Sequence, residues 1–268
     1  MHVRQKYIVG SGWWCNEREN DGREKFLGDE TIRKKEFHSL WYESIDKFTS
    51  PQKIILVDSN SPIKPPLNKS DSRLEFISLN INAKHSTNHI GRFCGYTRAI
   101  IVALSYAEMC ECDYFVYVEQ DALLFGENIV EYCISKMTSP VAFGEAKTCP
   151  GKLQQSFFII KTDFINTFLK RLKSIPYRDF ELNPEEQFSI AASTGSVKIL
   201  SFVAIMKKRF RVIEKLDWYL TKYFSLWTAL PIGYGRNRPI NFEDDFFYFQ
   251  HGEAKELTQF KKLLQEIP

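Results

Sequence analysis

Five consecutive apolar residues, Tyr114-Phe115-Val116-Tyr117-Val118, run straight into Glu119-Gln120-Asp121. A strand with no polar alternation is buried on both faces, so helices must cover both sides of its sheet. Open sheets of this kind bind ligands at the carboxyl ends of their strands. The run therefore constrains the fold class and carries two carboxylates, two residues apart, to that edge.

The rest of the chain is consistent with an α/β domain built on a mostly parallel sheet. Residues 7–9 predict a first strand, ending in the turn Gly10-Ser11-Gly12. The charged stretch 16–30 reads as a loop, and 31–48 carries helical spacing that Pro51 terminates. Residues 53–57 and 74–79 read as strands, 95–111 as a helix, and 127–137 as a short helix. Strands are expected at 141–143 and 156–160, helices at 162–173 and 185–192, and a further strand near 197–202. Residues 253–267 predict an amphipathic helix with Leu257, Phe260, Leu263 and Leu264 on one face. No Pro/Ser/Gly-rich linker divides the chain. One domain is expected, with residues 1–202 as the catalytic region and 203–268 as an α-rich extension packed on it.

Composition excludes several classes. The 268 residues suffice for a core that needs no disulfide staples. Lys and Arg number 36 against 33 Asp and Glu, and a net charge of +3 does not mark a dedicated nucleic-acid binder. The six cysteines form no CxxC pair, which argues against a zinc ribbon and points to a reducing compartment. The first 14 residues lack a signal-peptide core, and no apolar run is long enough to span a bilayer. A Walker-type phosphate loop, HExxH and GxSxG are all absent. Gly10-Ser11-Gly12 continues into Trp13-Trp14-Cys15, which leaves the dinucleotide fingerprint incomplete. Aromatics are abundant at 15% of residues, which suits a bulky core or clefts that stack on rings and sugars.

Carboxylates at a sheet edge can hold Mg²⁺ or Mn²⁺, which prefer oxygen ligands and leave positions open for substrate phosphates. Glu119 and Asp121 are the candidates. Asp58, at the end of the second strand, can accept hydrogen bonds from a ribose or a base. Arg98, near the start of the helix before the acidic strand, can reach a phosphate, and that helix N-terminus itself favours anions. The stretch Gly233-Tyr234-Gly235-Arg236-Asn237-Arg238 suits a loop approaching phosphates, with charge from Arg236 and Arg238.

Three segments together resemble the nucleotide-sugar-dependent glycosyltransferases of the GT-A fold. They are Ile54-Ile55-Leu56-Val57-Asp58-Ser59-Asn60, Gly95-Tyr96-Thr97-Arg98-Ala99, and Val118-Glu119-Gln120-Asp121 in the place of the DxD motif. The resemblance is one of layout and covers the catalytic region. It implies that Asp121, the last position of the motif, binds the metal, with Glu119 standing where the first aspartate is usual. It also implies an acceptor-side loop and strand from Gly144-Glu145 to 156–160. Within Asn183-Pro184-Glu185-Glu186, it implies a general base at a helix start, Glu186 being favoured over Glu185. Asp244 and Asp245 compete for that role. A late histidine, His251, is implied as a second metal ligand.

The basic cluster at 207–211 and the aromatic residues after it have two functional readings: an anionic membrane face or an acceptor cleft. A solvated basic turn before a core helix is the third reading. The expected activity is metal-assisted transfer, with Mn²⁺ or Mg²⁺, from a nucleoside-diphosphate sugar to a glycan or lipid-linked acceptor. It would serve polysaccharide or glycolipid biosynthesis, in the cytoplasm or at the inner face of a membrane. Inversion follows if the carboxylate base exists, and a retaining course is the alternative. The rivals are a sugar-nucleotide pyrophosphorylase and a non-catalytic carbohydrate-binding domain.

Overall fold

The computed structural model describes residues 5–16, 26–146 and 152–267. Most of the predicted 16–30 loop, Cys149, and the middle of the segment after Gly144-Glu145 lie outside the described residues.

Seven strands form the central sheet: β1 (Tyr7–Trp13), β2 (Lys53–Asp58), β3 (Leu74–Ser78), β4 (Tyr114–Val118), β6 (Val141–Glu145), β7 (Leu153–Lys161) and β8 (Trp227–Ala229), with β5 (Ala122–Phe125) lying outside it. Their order is β3-β2-β1-β4-β7-β6-β8. Among these strands only β7 runs against the others. β5 belongs instead to a small sheet with β9 (Gly233–Gly235) and β10 (Phe247–Gln250), in the order β5-β10-β9.

Alternation along each strand divides the core in two. Tyr7, Val9, Ile54, Leu56, Val116, Val118, Phe157 and Ile159 face one side. There they meet α1 (Phe37–Phe48), α3 (Ile129–Lys136), the small sheet and α8 (Ala254–Glu266). Their neighbours Ile8, Ile55, Val57, Phe115, Tyr117, Phe158 and Ile160 face the other side. They meet α2 (Gly95–Glu108), α4 (Thr162–Ser174), α5 (Pro184–Ala191) and α6 (Val197–Met206). Burying one such side chain contributes roughly 1.5–3 kcal/mol, so slipping any central strand by one residue would forfeit several of these at once. Gly10 permits close packing here. A side chain there would collide with the Phe115 ring and press on Ala103 of α2.

Several expectations are corrected. Residues 197–202 are not a strand but the first turns of α6. Val197, Ile199 and Leu200 supply β-type composition, yet the buried residues Leu200, Ser201, Val203 and Ala204 recur at helical spacing. The single helix expected over 31–48 is a 3-10 turn, Glu30–Arg33, followed by α1. The turn expected at 10–12 is part of β1. The stretch after residue 202 contains α7 (Arg211–Phe224) and α8, but it also supplies β8 to the main sheet and both partners of β5.

Chain direction positions the candidate site. From β1 the order steps outward to β2 and β3, and then returns through α2 to β4 on the other side of β1. The order thus reverses between β1 and β4, and a crevice opens at the carboxyl ends of strands at such a point.

Candidate active site

β4 delivers Glu119-Gln120-Asp121 to this reversal point. The Glu119 N–H donates to the Ser156 carbonyl (2.8 Å), and the Ala122 N–H closes a tight turn on the Glu119 carbonyl (2.9 Å). The motif is therefore the corner at which the chain leaves the main sheet for the small one. Gln120 holds that corner against β1: its Oε1 accepts from the Trp14 N–H (2.7 Å) and its Nε2 donates to the Trp14 carbonyl (2.9 Å). This side chain imitates a peptide group and continues the pairing of β1 with β4 past the strand ends.

The two carboxylates are joined by a residue that sequence reasoning did not assign. Gln250, 1% exposed, donates through Nε2 to Glu119 Oε2 (2.8 Å) and to Asp121 Oδ1 (3.0 Å). Its Oε1 accepts from Arg236 Nε (3.0 Å) and Gln154 Nε2 (3.3 Å). Two acceptors on one end and two donors on the other fix the orientation of this amide. The register of β10 on β5, Gln250 opposite Ala122, makes the meeting possible. The next residue, His251, turns in the left-handed region (φ 56°) and brings Nε2 to 3.3 Å from Asp121 Oδ2. Burial lowers the His251 pKa below the ordinary imidazole value; Asp121 opposes this, and Arg236, Arg33 and Arg238 reinforce it. A neutral imidazole is the form that ligates metals.

The spacing of Asp121 Oδ2 and His251 Nε2 is compatible with two donors to one divalent cation. Donors at about 2.1 Å from an octahedral ion and at right angles to each other lie about 3 Å apart, close to the observed spacing. Among the described residues, no group of three or more His, Cys, Asp and Glu side chains could hold a metal. Were an ion held there, these two side chains would leave positions for phosphate oxygens. Glu119 is tied to Asp121 through Gln250.

Arg236 adjoins the pair. Its backbone N–H donates to Gln154 Oε1 (3.2 Å) and its Nε to Gln250 Oε1, so one amide stands between its guanidinium and the two carboxylates. Arg238, by contrast, is a strut. It pairs with Glu256 (2.5 Å), donates to the Gln250 carbonyl (2.9 Å) and lies over the Phe249 ring.

Two residues expected at the nucleotide have internal partners. Asp58 is completely buried and accepts from the Ser61 N–H (2.9 Å), Ser78 Oγ (2.6 Å) and Lys64 Nζ. It fixes the loop after β2. Arg98 donates to the carbonyls of Phe93 (2.9 Å) and Ile90 (3.1 Å), tying the preceding loop to α2. The N-terminus of α2 has an anion of its own: the Cys94 N–H donates to Asp179 Oδ2 (2.8 Å), a carboxylate also held by Gln187 (3.0 Å). Asp179 has no sequence signature, because it approaches α2 from a distant loop.

The acidic pair at the start of α5 separates cleanly. Asn183 caps the helix by accepting from the Glu186 N–H (2.9 Å), with Pro184 in its first turn. Glu186 is 6% exposed and its carboxylate lies 2.8 Å from Lys207 Nζ and 3.6 Å from Lys208 Nζ. Lys207 also binds Asp217 (2.6 Å). Glu185 makes no such ion pair among the described residues: desolvation raises its pKa, a hydrogen bond from its own backbone N–H and the charge of Arg236 oppose the rise, and Glu186 reinforces it. Tyr96 connects the two halves. Burial holds its phenol well above the usual range, and the negative charges of Glu119 and Glu185 add to the effect. Its OH donates to the Gln155 carbonyl (3.0 Å), and its ring lies edge-on to Tyr117 and stacked on Phe188.

Asp244 and Asp245 lie elsewhere. They line a cavity of about 340 Å³ with Tyr132, Pro231, Ile232, Glu243 and Phe246. Asp244 is bound by Tyr234 and Asn241, and the Asp245 carbonyl abuts Gly126, beyond the far end of β5. The length of β5 separates this pair from Asp121 by about 15 Å.

No family model and no curated protein matches the sequence. Among solved structures, the chain is similar to residues 1–349 of TarS from S. aureus, at 12% identity over 97% of this chain with a TM-score of 0.46. It spans 64% of that structure's length. It is also similar to HddC from Yersinia pseudotuberculosis, at 12% identity over 98% of this chain and 100% of that one, with a TM-score of 0.42. A third is the glycosyltransferase GlyE of Streptococcus pneumoniae, at 10% identity over 85% of this chain and 46% of that one, with a TM-score of 0.43.

Proposed function

We propose that this chain is a GT-A-type glycosyltransferase that moves a sugar from a nucleoside-diphosphate donor to a hydroxyl of a glycan or lipid-linked acceptor. The observation that supports this reading is the approach of Asp121 and His251 at the point where the strand order reverses, with Arg236 beside them. Asp121 and His251 would hold Mn²⁺ or Mg²⁺. When bound, the cation supplies neutralising charge to a leaving diphosphate. Arg236 adds a fixed positive charge to the same place, and Gln250 keeps the two carboxylates in position. Glu185 is the base in this reading, replacing Glu186. Its raised pKa leaves it basic enough to take the proton of an acceptor hydroxyl as that oxygen attacks the anomeric carbon. Such an attack inverts the sugar. Asp58 and Arg98 act indirectly, by shaping the loops on either side of the crevice.

The test is incubation with a panel of nucleoside-diphosphate sugars, with and without Mn²⁺. Release of nucleoside diphosphate that requires the metal, and falls in Asp121→Ala of unchanged fold, is the expected result. Consumption of a nucleoside triphosphate with a sugar phosphate would make the chain a nucleotidyltransferase instead. Failure of any nucleotide to bind would leave a non-catalytic domain.

A further inference from the structure

α7 presents an apolar stripe to solvent. Val212, Leu216, Tyr219 and Tyr223 follow one another at spacings of four, three and four residues, which places them on one helical face. They are 86%, 48%, 64% and 83% exposed. The face that packs inward is a different one, containing Leu220 and Phe224. α6, which packs against α7, leaves Ile199 and Phe202 more than half exposed, and Phe210 between the helices is also exposed. An amphipathic helix with its apolar stripe outward has a partner surface to meet.

Charge identifies that partner. Residues 197–224 contain seven Lys and Arg against two acidic residues, in a chain whose net charge is only +3. Lys207 and Lys208 are engaged with Asp217 and with Glu186 of α5, and the rest of this stretch carries five Lys and Arg against one acid, Glu214. Lys215 and Lys222 line one edge of the stripe, and Lys222 Nζ lies 5.0 Å from the Trp218 ring centre. A second copy docked by two-fold symmetry would set this basic face against itself. An anionic surface complements it, and Trp218, Tyr219 and Tyr223 have the apolar body and polar tip that suit a lipid–water boundary. We infer that α6 and α7 lie on an anionic lipid bilayer, the stripe inserted among the acyl chains and the lysines at the headgroups. Lys207 and Lys208, at the junction of the two helices, reach Glu186 on α5. The docked face is thereby joined directly to the acceptor side of the crevice.

The experiment is co-sedimentation of the full chain with phosphatidylcholine vesicles, with and without phosphatidylglycerol. Binding to the anionic vesicles, weakened by salt and at least about tenfold lower in Leu216→Ser/Tyr223→Ser and in Lys215→Glu/Lys222→Glu, is the expected result. Matched circular dichroism melts show that these surface variants fold. No binding, equal binding to neutral vesicles, or variants that bind like the parent would overturn the inference. So would a dimer in light scattering that the serine variant dissociates, which would assign the face to a second copy. Donor turnover with a soluble acceptor reads the proposed chemistry separately, so either reading can fail alone.

Discussion

At the scale of single residues, environment rather than identity distinguishes the two neighbouring glutamates. Glu186 sits between two lysines, whose ammonium groups pair with its carboxylate oxygens. Glu185 is partly buried and makes no such ion pair among the described residues, with Arg236 only partly offsetting its desolvation. Glu185→Gln is therefore expected to lower kcat by about 10²–10⁴ with KM for the donor nearly unchanged. The acidic limb of the pH–rate profile, in which activity rises as Glu185 ionises above the ordinary glutamate value, should vanish with it. Glu186→Gln should leave kcat within about tenfold and cost about 1–3 kcal/mol in urea unfolding, because Lys207 loses a partner. Gln250 makes a second case. Gln250→Leu, similar in size but without donors, should weaken Mn²⁺ binding by about 10–100-fold, read by titration of tryptophan fluorescence with the metal alone. Unchanged affinity would make Gln250 a packing residue only. Its role could not be read in the sequence. The Glu119-Gln120-Asp121 corner was visible as charge after an apolar run, whereas Gln250 acquires meaning only from the strand opposite.

At the scale of elements, legibility followed burial. β4 and β7 were identifiable because uninterrupted apolar runs have few other uses, and α2 because its stripe repeats at helical spacing. β5 was missed because Ala122-Leu123-Leu124-Phe125 reads as a continuation of β4, while the chain turns a corner at 119–121. α6 was misread from β-branched and bulky residues whose helical periodicity is short. The packing of α1 on β1 contains a further legible consequence. His38 of α1 lies edge-on to Trp13 and stacked on Trp41, with Nε2 unpartnered and the side chain buried. Burial lowers its pKa from 6.5 to about 4. Between those values the unfolded chain binds the proton and the folded one does not, so stability falls as pH drops through this window and levels off below it. The loss should reach about 3 kcal/mol. His38→Phe should remove that part of the acid sensitivity, measured as the difference in urea unfolding free energy between pH 7 and pH 4.5.

At the scale of the whole molecule, the two core layers and the small sheet share residues with the site. Phe249, completely buried and packed on Phe260 of α8, immediately precedes the amide and imidazole that meet Asp121. Phe249→Ala is expected to cost about 3–5 kcal/mol. In the parent chain, urea curves followed by far-UV circular dichroism and by Mn²⁺ binding should coincide. Loss of metal binding well before loss of helix would mean that the small sheet opens alone. The pairing of β5 with β10 also has a bearing on how the site assembles. Asp121 and His251 stand far apart along the chain and meet only through this antiparallel pair. A cation held there as proposed would have no binding site in either local segment alone, so its affinity would report one long-range docking event.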